Sequence, residues 1–539
     1  MPLRVADFFC GGGGFSEGFR QAGFNIVFAV DRWLPAVNTY KGNKPNVNVV
    51  QDDVIRISEL PDEKFEALVP DSEVIIGSPP CQSFSHSNKS GGADKALGIK
   101  LFEAYLRIIA RKKFKENSIL KYWILENVPD IKKYIKQEYT AADLGLSGDF
   151  VLHTHGAAAG KYNAKYYGAP TNRERYLCGD FPIPTKVRDD SNVTTLGEVL
   201  TALGDPLDQG TDKIADINYP DLVLPRNDIT DQHYLYELAP FEYNTSKRLK
   251  QDKGYMGKMA FPENLDKPAR TVMATMTASA REAMILGYGD GRYRLPTVRE
   301  AASMMSFPID YWFYGESKGV KHTLVGNAVP PKLSYALARA IATAENEPIP
   351  DHYIPINHSH DLEFYNLNGV HFEIKTEQPK KKNAKFKYHI PYLIYEAYRV
   401  ELTNYHSDFE KGHYSWTPEI HHSQGKDKAR CYTPRITLRV IPLEYKEAVK
   451  QFIREIQKRV PNMDTFQDVY CMTNADRANQ RYFGPFELLE HVRQFIDETL
   501  IEEKQKQAIA IDDKLNAIPL AIAMGYYVLK NVTTYMGRK

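Results

Sequence analysis

Ile76-Gly77-Ser78-Pro79-Pro80-Cys81-Gln82-Ser83-Phe84-Ser85 (IGSPPCQSFS) sets a cysteine directly behind two prolines, at the end of a β-branched apolar run. Proline fixes its own φ and pushes the preceding residue out of the helical region, so Pro79-Pro80 holds the backbone on one extended path. A cysteine carried on that path is aimed, whereas a free cysteine is ordinarily a small buried hydrophobe. The flanking sequence decides between the two.

Outward from this stretch, strands alternate with helices. Arg4 to Phe9 has the pattern of a short strand, followed by Cys10-Gly11-Gly12-Gly13-Gly14 and a helix from Phe15 to Ala22. Asn25–Val30 ends in Asp31, Val47–Val50 runs into Asp53, and Glu73–Ile76 leads into the Pro-Pro-Cys turn. A helix follows from about Lys100 to Arg111, then the strand YWILENV, which carries Glu126. The alternation predicts an α/β fold, a parallel, doubly wound sheet with helices on both faces. Ligands of such sheets sit beyond the carboxyl ends of the strands. Gly11, Asp31, Asp53, Cys81 and Glu126 all fall there.

A chain of 539 residues has room for two to four domains. With 43% hydrophobic and 25% charged residues it has the composition of a soluble globular protein. No apolar run approaches the ~20 residues of a membrane span, and MPLRVADFFCGGGG enters structure without a signal peptide, so a cytoplasmic protein with no membrane partner is expected. The five cysteines include no CxxC pair, which argues against a disulfide framework or a cysteine zinc site. The net charge of +1 says nothing about nucleic acid, because only a local basic patch would.

From Phe181 to Arg292 the periodicity degrades into turn formers, which predicts a loop-rich lobe. Order returns with LPTVREAASMMSF and with the helix LSYALARAIATA after GNAVPP. The linker ENEPIPDHYIPINHSHD marks a boundary near residue 350. Beyond it, strands are expected around VHFEIKT and RITLRVI, then amphipathic helices in YKEAVKQFIREIQKRV and FELLEHVRQFIDETLIEEKQKQ. No internal repeat is present.

The glycine run suits close approach of a ligand to backbone N–H groups and a helix N-terminus, although it lacks GxGxxG spacing. Asp31, twenty positions on, suits a ribose hydroxyl pair, and Asp53 suits an adenine amino group. Together they describe an adenosine-shaped pocket. Cys81 supplies a thiolate nucleophile once its pKa is lowered. Glu126 places a carboxylate on an adjoining strand, and Arg173 and Arg175 share one face if NRERYLC is a strand.

This set resembles the cytosine-C5 DNA methyltransferase family of bacterial restriction-modification systems. The likeness runs over residues 3–345 through DFFCGGGGFSEGFRQAGF, AVDRWLPAVNTY, QDDV, GSPPCQSFS, LENV, NRERYLCGDFP, RLPTVREAASMMSFP and VGNAVPPKLSYALA. It implies a Rossmann-like S-adenosylmethionine domain over 1–180, a target-recognition region over 181–292 and a return to the catalytic domain over 293–346. An α+β accessory domain would occupy 351–539. It further implies methyl transfer from S-adenosylmethionine to C5 of a flipped cytosine in double-stranded DNA, with no metal required. The catalytic residues implied are Cys81, Glu126, Arg173 and Arg175. The cofactor-binding residues implied are Phe9, Gly11, Gly13, Asp31, Asp53, Pro80 and Asn327. The segment Gln82–Lys100 takes the place of the family's catalytic loop, closing over the flipped base.

Departures from the family pattern are Thr171 where glutamine is usual, Asp31 where glutamate is common, and Asp94-Lys95-Ala96-Leu97 in place of Asp-x-Arg-Gly. A tRNA cytosine-C5 methyltransferase and a catalytically idle DNA-binding module are the alternatives. Past residue 350, PKKKNAKFK is a basic run suited to phosphates or to a solvated face, and Glu373-x-Lys375 shares a pattern with metal-dependent nucleases. His421-His422 near Glu419 offers metal-ligand chemistry, though lone histidine pairs are usually structural. An accessory domain that binds DNA, or other proteins of a defence system, is expected there.

Overall fold

The computed structural model describes residues 2–80, 95–208, 210–251, 259–369, 374–423, 430–511 and 517–539. The expected nucleophile Cys81, the loop through Asp94, and Glu373 lie outside the described residues. The chain divides into two compact units, Met1–Leu238 with Phe261–Ile374, and Ala239–Ala260 with Lys375–Lys539.

The first unit is built on a seven-stranded sheet of β1 (Arg4–Phe8), β2 (Asn25–Asp31), β3 (Asn48–Gln51), β4 (Val74–Gly77), β5 (Tyr122–Asn127), β6 (Gly160–Asn163) and β7 (Glu174–Asp180). Their order across the sheet is β3-β2-β1-β4-β5-β7-β6. β1 to β5 are parallel, and β7 runs antiparallel between β5 and β6. Helices cover both faces, so the strands read as continuous apolar runs, with Val74, Ile75, Ile76, Ile124 and Leu125 all buried. From β1 the chain winds outward through β2 and β3, then returns to lay β4 on the other side of β1. The carboxyl ends of β1 and β4 therefore open a crevice, the place where such sheets hold ligands. The expected α/β architecture is observed.

Helix α1 (Gly14–Gln21) starts directly behind the glycine run, and Gly13 at its N-cap has φ 82°, a left-handed conformation in which a side chain is strained. Helix α2 (Leu34–Asn43) follows β2, and α3 (Val54–Ser58) is capped by Asp53, whose side chain accepts from the Ile55 N–H. Helix α4 spans Lys95–Lys113, longer than expected, and α5 (Lys318–Asn327) returns to the crevice.

The linker thought to begin a new domain at 350 folds back onto the first unit, which ends instead at Ile374. Arg20 donates to the carbonyls of Ile354 and Pro355, and Tyr353 donates to Asp310 at 2.6 Å. Deeper in, Lys321 on α5 donates to Asp231 at 2.7 Å and to the Tyr365 carbonyl, and Asp231 also accepts from the Leu367 N–H. Both charged side chains are fully buried. This pair joins α5, the lobe and the 351–374 strap.

The second unit carries an antiparallel sheet of β8 (Lys387–Tyr395), β9 (Tyr398–Thr403), β10 (Thr417–His422) and β11 (Arg430–Tyr432), in sequential order. Buried side chains of helices Pro485–Thr499 and Leu520–Met536, among them Leu488, Val492, Ile522 and Leu529, form its core with Ile390, Val400 and Ile420. Helix Pro240–Gln251 belongs to this unit although it falls inside the expected 181–292 lobe, and Arg248 lies 3.7 Å over the Phe486 ring. RITLRVI is not a strand: its alternate apolar residues pack on the core, but among the described residues no strand pairs with it. The described part of VHFEIKT, from Ile374 onward, is likewise irregular. Helix-rich FELLEHVRQFIDETLIEEKQKQ breaks at Leu500 into Pro485–Thr499 and Glu502–Gln505. In the basic run, Lys382 pairs with Asp468 and Lys387 with two glutamates, so part of its charge is used internally. Among the described residues, no helix is long and apolar enough to cross a membrane.

Removing one partner of a fully buried ion pair leaves the other charge unsatisfied. Asp231→Ala is expected to lower the unfolding free energy by about 3–5 kcal/mol, read from urea denaturation.

Candidate active site

The crevice between β1 and β4 holds a cavity of about 400 Å³, within the range of small-molecule sites. Its wall includes Phe9, Gly11, Asp31, Asp53, Pro80, Glu126, Arg173, Arg175 and Asn327. Residues more than 300 positions apart thus converge on one space. Gly13 stands off the wall and shapes the start of α1; a Cβ there would lie 2.6 Å from the Tyr311 hydroxyl. Phe9, with φ 55°, carries the chain from β1 into the glycine turn in a conformation that costs a non-glycine residue about 1–3 kcal/mol.

At one end of the cavity sits the Asp31 carboxylate. Oδ2 accepts from the Gly11 N–H at 3.0 Å and Oδ1 from the Trp33 N–H at 2.8 Å. Burial raises the Asp31 pKa, while these N–H groups work against the rise. The shorter arm of aspartate is thus locked between the glycine turn and α2. Asp53 has one oxygen committed to capping α3. Trp33 adds an aromatic wall between the two acids, a flat surface on which a purine can stack. Two acids, an aromatic face and open backbone at a helix start fit a nucleoside.

The other end is built by β4, β5 and β7. Gly77 pairs with Leu125 in the parallel register, so the next residues, Ser78 and Glu126, stand side by side. Ser78 Oγ donates to Glu126 Oε2 at 2.5 Å, and Arg175 Nε lies 3.0 Å from Oε1. Leu177 lies opposite Glu126 across β5 and β7, which brings Arg175 to it. Asn127 donates to the Pro79 carbonyl at 2.9 Å and its own Oδ1 accepts from Val128 N–H. The Pro-Pro path is thereby fastened to β5, immediately before Cys81. Arg173 precedes β7 and donates to the Val272 carbonyl, which ties it to the lobe. Thr171, the departure from glutamine, is buried and donates to the Arg270 carbonyl.

Trp33, Ser78, Asn127 and Thr323 were not foreseen. Ser78 was within the opening stretch, but its role depends on the β4–β5 register, which no local pattern reveals. Trp33 follows Asp31 by two positions and could have been suspected from its size.

Beneath the glycine turn, Asp7 on β1 is fully buried, with the Tyr40 hydroxyl 3.4 Å away. Burial pushes its carboxyl up from 3.8 to about 7. The unfolded chain releases this proton near pH 4 and the folded chain only near pH 7, so the folded state holds more protons across that window. Its stability is full below the lower value and declines as pH rises through the window. Asp7→Asn removes the decline, and is expected to gain on wild type by up to about 4 kcal/mol between pH 4 and pH 8 in urea unfolding.

The model of C-5 cytosine-specific DNA methylases matches residues 3–343. The type II methyltransferase M.MthTI of Methanothermobacter thermautotrophicus is 30% identical over 362 residues, spanning 63% of this chain and 97% of its own. M.DdeI of Desulfomicrobium norvegicum, a type II methyltransferase, is 28% identical over 387 residues, 63% of this chain and 88% of its own. Among solved structures, the Dnmt2 methyltransferase of S. pombe is 18% identical with a TM-score of 0.43, covering 64% of this chain and 99% of that one.

Proposed function

The chain belongs to the C-5 cytosine-specific DNA methylases and is a DNA cytosine-5 methyltransferase using S-adenosylmethionine, and on that footing we propose that catalysis proceeds through a covalent bond from Cys81 to C6 of a cytosine flipped out of the duplex. The observation that carries this reading is the Ser78–Glu126–Arg175 cluster at one end of a nucleoside-sized cavity, on the strand end that leads into Cys81.

Cytosine C5 is too weak a nucleophile to take a methyl group unaided. The Cys81 thiol loses its proton, its sulfur bonds to C6, and the ring electrons concentrate at C5. Glu126 hydrogen-bonds or protonates N3, so that negative charge does not build up on the ring as that bond forms. Ser78 and Arg175 grip the two Glu126 oxygens and fix the angle at which it meets N3. Arg173 and Arg175 hold the O2 edge and the neighbouring phosphate. The donor supplies a methyl carried on a positively charged sulfur; Asp31, Trp33, Asp53, Phe9 and Asn327 would hold its adenosine end. After transfer a base takes the C5 proton, the S–C6 bond breaks and the thiolate is restored. Extracting the base from the stack costs a few kcal/mol. The likeness to type II methyltransferases supports a place in restriction-modification or phage defence, with residues 375–539 contacting DNA or another protein of that system.

Cys81→Ser should abolish methyl transfer to duplex DNA while keeping S-adenosylmethionine binding within a few-fold of wild type. An oligonucleotide bearing 5-fluorocytosine should leave an adduct on wild type that survives denaturation and is absent from the variant. A wild type without such an adduct under active conditions overturns the covalent route, and transfer to tRNA in preference to duplex DNA overturns the substrate. Glu126→Gln is expected to lower kcat by about 100- to 10,000-fold, and Ser78→Ala by roughly tenfold, at little change in cofactor affinity.

A further inference from the structure

The second unit carries a cluster that methyl transfer does not use. On the sheet, Glu401 of β9 lies directly opposite Glu419 of β10, and His421 lies directly opposite Cys431 of β11. Alternation along β10 puts Glu419 and His421 on one face and His422 on the other, where it stacks on Tyr398 at 3.9 Å. The two neighbouring histidines therefore part company, and only His421 joins the acids.

The donor atoms of Glu419, His421 and Cys431 all lie within 4.8 Å of one another. His421 Nε2 is 2.9 Å from Glu401 Oε2 and 3.2 Å from Glu419 Oε2. One ring nitrogen carries at most one proton and cannot serve two carboxylates at once. Glu401 is 6% exposed, and its Oε2 accepts no hydrogen bond of good geometry despite the short approach to His421. This buried carboxylate oxygen, held by the ion contacts of His421 and Lys387 alone, points into the cluster. Around it, Arg399 Nε lies 2.5 Å from Glu401 Oε1, His406 Nε2 lies 2.8 Å from Glu419 Oε1, and Lys387 Nζ lies 3.4 Å from both acids. Like charges directly opposite on a sheet repel, and these cations hold the pair together.

We propose that Glu419, His421 and Cys431 form a divalent transition-metal site of the zinc class, with Glu401 Oε2 available as a further oxygen ligand. The donor set decides the metal: imidazole, thiolate and carboxylate suit zinc, whereas magnesium and calcium take oxygen alone. A cation at the position His421 Nε2 now faces would be bound by both carboxylates, where a proton can satisfy only one. On binding, the Cys431 S–H bond breaks, a sulfur–metal bond forms and the proton passes to the buffer. Cys431 is exposed, so the metal has access from solvent.

The full-length chain, stripped with a chelator, should be titrated with Zn²⁺ by calorimetry and with Co²⁺ by absorption. One equivalent per chain is expected, together with a thiolate-to-cobalt charge-transfer band. Cys431→Ser should remove the band and weaken zinc binding by roughly a hundredfold, and His421→Ala should weaken it comparably. Cys471→Ser, at a buried cysteine whose thiol donates to the Lys381 carbonyl, should keep both signals. Cys431→Ser changes an exposed side chain, so its result stands even where His421→Ala fails to fold. Absence of zinc binding by wild type, or a band and affinity that persist in Cys431→Ser, overturns the site.

Discussion

The cavity end of β4, β5 and β7 depends on the grip that Ser78 and Arg175 exert on Glu126. A carboxylate at a strand end is free to turn into solvent, but here each oxygen has its own donor, at 2.5 and 3.0 Å. One donor comes from the parallel neighbour β4 and the other from the antiparallel neighbour β7. The acid is therefore fixed by the sheet itself, and the register of three strands becomes a statement about chemistry. The same β5 end fastens Pro79 through Asn127, so the acid and the approach to Cys81 share one support.

The rest of the first unit shapes the cavity against that support. Returning β4 to the far side of β1 opens the crevice, and the glycine turn, the strained Phe9 and the doubly held Asp31 line its other end. Burial of Asp7 below the turn works against stability at neutral pH, a trade of folding free energy for a tightly packed floor under the glycine turn.

Much of this was legible in the sequence because its signals are local. Apolar runs ending in Asp31, Asp53, Cys81 and Glu126 reveal a parallel sheet with its chemistry at one edge, and those residues other than Cys81, which lies outside the described residues, do meet at one cavity. Gly13 supplies the left-handed turn at the start of α1, a need that a string of glycines does not distinguish from ligand contact. Arg175 could be named from the sequence, but Ser78 could not, because the partner they share depends on strand order. Beyond residue 350 the helical periodicities hold in Lys446–Gln457 and Pro485–Thr499, but the strand and linker signals do not. RITLRVI alternates like a strand yet has no pairing partner among the described residues, and the proline-rich linker reads as a domain boundary but is tied to the first unit by Arg20 and Asp310. The cluster around Glu419 was visible only as a pair of adjacent histidines, one of which faces away.

The interleaving of the two units has an evolutionary corollary. Because Ala239–Ala260 packs with Lys375–Lys539, the backbone passes from one unit to the other, back, and across again. No single break point in the gene separates them cleanly: a product ending at Ile374 retains helix Pro240–Gln251 stripped of its packing partners. Recombination that replaced the lobe would have to carry that helix and the tail together. The extension and the lobe are thus joined through that helix, which neither could lose without exposing its packed face.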